Sequence, residues 1–283
     1  IKTTMQTQSS ANPLAGYFRQ PAIFLKLPTG GKYWEKGSVN IPESGELPVS
    51  PMTAKDEIVL KTPDALMNGE GVSAVISSCI PSILNPWAIP VADLDAILIA
   101  IRLASYGQEM DISTNCPNCD EENENVVDLN LLLVTMPPPT YPEKTYGKLV
   151  VKFRPQTFQS LNLTNLAVFE QQSLLGSISS SELTDEQKQA EFKKLLPKIT
   201  NLTVQTLVDA IESITGEGAS PVTDKKFIRE FIDNCDRQTY DGLKKEVDNI
   251  ALSNKVDPLS IKCSACETEY QAPLNFENSN FFA

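Results

Sequence analysis

The clearest hydrophobic pattern in the chain lies in residues 93–106. There Leu94, Ile97, Leu98, Ile101 and Ala104 recur at the helical period, and Gly107 stands where a helix ends. Two shorter helices are expected before it. The first begins after Thr53, whose hydroxyl can accept the backbone N–H near Asp56; acidic Asp56 and Glu57 suit its positive end, and Pro63 stops it. The second covers residues 71–79, ahead of Pro81. Upstream, Tyr17-Phe18 and residues 23–27 read as short extended pieces broken by Pro21, Pro28 and Gly30-Gly31, and residues 37–51 as loop with brief strand. Residues 1–16 are short on large apolar groups and read as a polar arm.

Further on, residues 109–113 alternate like a strand, 120–125 read as an acidic turn and 126–134 as an apolar stretch, with Pro137-Pro138-Pro139 as a boundary. Residues 149–154 form a strand before Pro155. The helical period then governs 156–175, 184–196, 203–214, 224–235 and 240–252, with Thr184, Thr203 and Thr223 as caps. Gly176, Pro197 and Gly216-Glu217-Gly218 read as breaks, and 258–276 return to strand and turn. The class is α+β. A mixed body of residues 17–135 plus 256–276 carries a mainly helical insert, 136–255, and a tail, 277–283. Phe276, Phe281 and Phe282 read as an exposed aromatic end.

Two cysteine pairs carry the chemistry. Cys116-Pro117-Asn118-Cys119 and Cys263-Ser264-Ala265-Cys266 are C-x-x-C knuckles, each followed by polar residues and a strand-like stretch. Each knuckle offers two thiolates from one tight turn, and two knuckles complete a tetrahedron, the look of a zinc ribbon. The expected cofactor is one structural Zn2+ per chain, held by Cys116, Cys119, Cys263 and Cys266, with no position left for a catalytic water. Residues 120–262 lie between the pairs, far more than compact sites use, but closure entropy grows only with the logarithm of loop length. The competing readings are two redox motifs or four unrelated core thiols. A redox C-x-x-C should open a helix after a strand, and neither pair does so cleanly. Cys79 and Cys235 read as buried thiols on apolar helix faces.

Composition narrows the function. The sequence has no histidine, which removes the commonest general base, Ser-His and Cys-His pairs and every His-containing metal site. Gly30-Gly31 lacks a following Lys-Ser/Thr and reads as a turn; Asp93 and Asp95 read as cap and solvent face. No catalytic or cofactor-binding residue is expected, and the reading is not an enzyme. Net charge is −12, from 24 basic and 36 acidic residues, with no basic cluster, so direct nucleic-acid or anionic-membrane partners are not expected. The most apolar segment, 96–104, is about half the roughly 20 residues of a membrane span and contains Arg102. No secretory signal is read at its head, and paired cysteines suit a reducing cytosol.

Three stretches together resemble a known family. They are Gly16-Tyr17-Phe18-Arg19-Gln20-Pro21, residues 47–57 (LPVSPMTAKDE), and residues 101–107 (IRLASYG) leading into Cys116-Pro117-Asn118-Cys119. They are similar to the T4-type bacteriophage baseplate proteins, which include hub subunits and hub assembly factors, and residues 62–69 fit the same pattern. The resemblance covers about 15–130 and the second knuckle. It implies a structural or assembly component of a contractile tail baseplate, synthesised in the host cytoplasm and located in the virion tail. Its partners would be other tail and baseplate proteins, including symmetric copies. The alternative is a zinc-ribbon adaptor of transcription or replication, which predicts a basic or aromatic ribbon face. Around Cys116 the neighbours are acidic instead.

Overall fold

The computed structural model describes residues 12–62, 69–180, 184–274 and 281. Ala15–Tyr17 close a 3-10 turn, so Tyr17 is not extended; its ring is 87% exposed. Strand β1 (Ile23–Lys26) pairs antiparallel with β2 (Glu46–Val49), and alternation turns Leu25, Leu47 and Val49 inward. Helix α1 (Ala54–Leu60) starts at Thr53 through a reciprocal cap. Thr53 Oγ1 accepts the Asp56 N–H at 3.3 Å, and the Asp56 carboxylate accepts the Thr53 N–H at 2.8 Å. Pro63 lies outside the described residues. Helix α2 (Glu70–Cys79) follows, burying Val75, Ile76 and Cys79.

Helix α3 (Val91–Tyr106) is the centre of this part of the molecule. It buries Leu94 and every residue from Ala96 to Arg102, including Ile99 and Ala100, which lie off the expected stripe. A helix apolar all round is one that other elements surround. Asp93 is not the cap of this helix, a place that Pro90 holds. It is buried in the first turn and accepts the Thr29 N–H at 2.8 Å, the Thr29 hydroxyl at 2.5 Å and the Trp34 indole N–H at 2.7 Å. Burial raises its pKa despite those donors. The α3 C-terminus ends at Gly107 with φ 94, a left-handed value that an L side chain resists.

Strand β3 (Glu109–Asn115) pairs with β4 (Glu122–Asp128), and helix α4 (Leu129–Thr135) follows directly. The acidic segment is thus largely strand rather than turn, and the apolar stretch divides. Asp128 caps α4 by accepting the Leu131 N–H at 2.9 Å.

The segment 136–255 builds a second core. Strands β5 (Glu143–Tyr146) and β6 (Leu149–Phe153) form a hairpin across Gly147-Lys148, with Gly147 at φ 60. Helices α5 (Phe158–Ser180) and α6 (Asp185–Ala210) follow, then β7 (Ile211–Gly216), which pairs with β6 to give the order β5-β6-β7. The helical period runs on to residue 214 in the sequence, but β-branched Ile211, Ile214 and Thr215 make strand there instead. Helix α6 runs through Pro197 and past Thr203, neither of which breaks or caps it. Thr184 caps its start with Gln187, and buried Val204, Leu207 and Val208 fix its end, which together offset the one hydrogen bond proline removes. Helix α7 (Lys225–Asn234) is capped by Asp224, not Thr223, and α8 (Arg237–Ser253) by Asp236. Val151, Phe153, Leu207, Ile211, Ile228 and Leu243 anchor the core, separate from the cluster around α3.

The ends of this segment meet. Thr140 N–H donates to Asn254 Oδ1 at 3.0 Å, and Asn254 Nδ2 donates back to the Thr140 carbonyl at 3.4 Å. The chain then enters β8 (Leu259–Lys262) and β9 (Glu269–Ala272), a further hairpin. Phe281 is not an exposed aromatic. It is 4% accessible, its carbonyl accepts from Arg102 Nη1, and its ring lies 5.4 Å from the guanidinium, whose other ring neighbour is Tyr106 at 5.3 Å. Phe276 and Phe282 lie outside the described residues.

Candidate metal centre

Both C-x-x-C sequences occupy hairpin turns, the first joining β3 to β4 and the second β8 to β9. Their backbones repeat position by position. Cys116 N–H donates to the Glu121 carbonyl and Asp120 N–H to the Cys116 carbonyl, each at 2.9 Å; Cys263 N–H donates to Thr268 at 2.9 Å and Glu267 N–H to Cys263 at 3.1 Å. Asp120 and Glu267, each just after the second cysteine, take left-handed φ values of 60 and 59. Neither turn opens a helix, which removes the geometry a thioredoxin-like site needs.

The turns bring all four sulfurs together, each within 4.8 Å of the others. Cys116 Sγ lies 3.6 Å from Cys266 Sγ and Cys119 Sγ lies 3.6 Å from Cys263 Sγ, so the ligands of the two knuckles interleave. A tetrahedron with Zn–S near 2.3 Å has S···S edges of about 3.8 Å. The donor set fits that ion. All six cysteines are free thiols, and 3.6 Å is far from a disulfide bond.

Electrostatics favour thiolate on the second knuckle. The Thr268 hydroxyl, 3.2 Å from Cys266 Sγ, and the Thr268 amide pull Cys266 down to about 5. The amide of Cys266, then that of Ala265, hold Cys263 below the usual thiol range. For Cys119 the Glu121 amide acts downward, but proton sharing with Cys266, Cys263 and Cys116 outweighs it and pushes the thiol up to about 12. Four adjacent sulfurs cannot all ionise by themselves; a dication at their centre removes that obstacle. Asn123, buried behind the site, and Thr268 are contacts that motif reading overlooked. For Asn123 the signal is a neutral polar residue within an acidic strand; Thr268, in the turn ahead of β9, carries none.

The remaining thiols stand apart. Cys79 is buried, and desolvation pushes it up to about 11. Cys235 is half-buried and lies past the end of α7 rather than on its face; it lines a groove of about 490 Å³ with Tyr146, Leu149 and Phe231.

The family model described as T4 bacteriophage base plate protein matches residues 21–283. The chain belongs to that family. No curated protein and no solved structure matches it. Membership points to a structural component of a phage baseplate, located in the virion tail among other tail proteins, and to a non-enzymatic role. Among the described residues, no helix of this baseplate protein is long and apolar enough to cross a membrane.

The segments that carried the resemblance converge in space. Arg19 Nη2 donates to the Ser78 carbonyl at 2.6 Å and its hydroxyl at 2.7 Å, while Nη1 reaches the Pro51 carbonyl and the Asp56 carboxylate, the latter at 3.2 Å. Met52 N–H donates to Ser105 Oγ at 2.9 Å, joining the second stretch to the third. Burial acts to raise the Asp56 pKa, but hydrogen bonds from Thr53 and Ser78 and the Arg19 charge prevail and lower it. These residues hold the body together; none of them presents an open reactive group.

Proposed function

We propose that this chain is a hub-subunit-like structural or assembly component of a contractile tail baseplate, working through protein contacts and not turnover. The family match over residues 21–283 carries the reading. Within it, one zinc ion on Cys116, Cys119, Cys263 and Cys266 closes a zinc-ribbon-like joint. The body of residues 17–135 and 256–276 then holds an insert, 136–255, whose ends are drawn together. The four-sulfur geometry and the Thr140–Asn254 clasp support this division. The ion would supply folding free energy and no reaction step, because four thiolates leave no open position.

Two measurements test the reading. Phage lacking the gene should complete heads and fail to assemble baseplates or tails; normal tails in its absence would sink the structural role. Protein purified without added metal should contain one zinc per chain, and material free of both zinc and iron would remove the joint.

A further inference from the structure

One buried side chain connects the two knuckles. Asn123 faces inward from β4, and both ends of its amide are engaged. Its Nδ2 donates to the Glu121 carbonyl in the first knuckle at 3.0 Å and to Cys263 Sγ in the second at 3.7 Å. Its Oδ1 accepts the Ser264 N–H at 2.8 Å. Residues 123 and 264 are separated by 141 positions, so these bonds are tertiary, not part of either turn.

The chemistry of this position is selective. Every charged residue from 109 to 130 is acidic, and four thiolates on one dication leave two net negative charges. Among these strand positions, the side chain turned toward the sulfurs is a neutral amide presenting an N–H. That hydrogen bond favours a thiolate, while a carboxylate there would oppose it. The carbonyl end simultaneously fixes the backbone of the second knuckle.

We propose that Asn123 is a positioning residue of the metal centre: it locks the second knuckle onto the first and donates to the Cys263 sulfur, gathering the ligands for the ion. The inference rests on the zinc reading above. Outer-shell partners of this kind typically alter metal affinity by about 10–100-fold.

The test uses the full-length chain, cobalt(II) titration and zinc competition against a chelator. Wild type should take one cobalt with the absorption of a tetrahedral tetrathiolate. Asn123→Ala should bind zinc about 10-fold more weakly and shift the sulfur-to-cobalt charge-transfer band. Asn123→Asp keeps an acceptor for the Ser264 N–H but puts a carboxylate beside Cys263, so it should weaken binding more, toward about 100-fold. If wild type loads metal and both variants stay within about twofold of it with the same spectrum, Asn123 is not a positioning residue. If wild type itself takes up no metal, the zinc reading fails first. Should the variants not fold, cadmium loading of wild type supplies the decision. The Asn123 side-chain amide protons should shift and become slow to exchange; an amide indifferent to the metal overturns the proposal.

Discussion

The body and the insert bury apolar surface in different ways. In the body, α3 is enclosed on all sides, and polar staples surround it: Asp93 to Thr29 and Trp34, Arg19 to Asp56 and Ser78, Ser105 to Met52. In the insert, burial concentrates at the foot of the α5–α6 pair. Val204, Leu207 and Val208 of α6 are buried there and Phe158 of α5 packs into the body core, yet no residue from 161 to 178 is buried, and Leu163 and Phe169 are 59% and 53% exposed. Both regions therefore have a core of their own, but the insert adds a long helical extension that lies outside its core. Local opening free energy follows buried contacts, so the extension should open most easily in the free chain.

The largest expected effect comes from the proposed metal joint at the foot of the insert. Removing the metal with a chelator, or Cys263→Ser, should destabilise residues 109–130 and 258–274 together, although they are far apart in sequence. Structural zinc contributes on the order of 10 kcal/mol in small zinc peptides, and a chain with two further cores should lose less, several kcal/mol. Hydrogen exchange measures it: the two knuckle hairpins should lose protection in step, with smaller changes around Leu207 and Leu243. Protection lost in only one hairpin would separate the knuckles and break the shared site.

Next in size are two core truncations. Ile97→Ala and Leu207→Ala each remove a buried side chain and should each cost about 2–5 kcal/mol. The difference lies in where the loss appears. Both tryptophans, Trp34 and Trp87, pack against the body core, so fluorescence follows the body. Far-ultraviolet circular dichroism sums all helices and is weighted toward the insert, which holds the longest ones. Ile97→Ala should lower the fluorescence midpoint most, and Leu207→Ala the dichroism midpoint. Coincident midpoints in both variants would make the chain one cooperative unit and erase the contrast.

The same contrast explains what could be read before the fold was known. The Thr53 cap, the periodic α3 and its terminal Gly107 were legible because local hydrogen bonding and one apolar stripe decide them. Strand β5 was not, since Glu143-Lys144-Thr145-Tyr146 has no apolar alternation and depends on β6 for its partner. The extent of α6 was misjudged because Pro197 usually ends a helix, while tertiary packing at Val204 and Leu207 holds this one. At the candidate centre, the cysteine spacing named all four clustered sulfurs. Asn123 escaped notice because its role exists only once Ser264 is brought across from the other end of the chain. Phe281 escaped for the same reason, since an aromatic near the end of a chain reveals nothing about a buried guanidinium elsewhere.

That pairing gives a smaller prediction for the body. Phe281→Ala should cost roughly 3 kcal/mol, the low end for a buried phenylalanine, by opening the cover over Arg102. Fluorescence should register the loss more strongly than dichroism, which the helices of the insert dominate. A variant indistinguishable from wild type in both would detach the terminus from the body core.

The smallest effect should come from pH, because the two regions bury different cations. Arg102 in the body stays charged at any accessible pH. Lys225 in the insert does not. Its ammonium donates to the Val208 carbonyl at 2.8 Å and the Ile211 carbonyl at 2.5 Å, a cation placed at the C-terminal end of α6. Burial, helped by the nearby Arg154 charge, pushes its pKa down to about 8, against the upward pull of Asp209 and Glu212. In the unfolded chain a lysine titrates near 10.4. Between roughly pH 8 and 10 the unfolded state therefore binds more protons at this residue, and stability rises with pH. Lys225→Met carries no such proton, so the stability of wild type relative to the variant should increase over this window by dichroism and stay flat by fluorescence. A difference that stayed constant, or fell, would mean that the carbonyl contacts hold the ammonium as comfortably as water does.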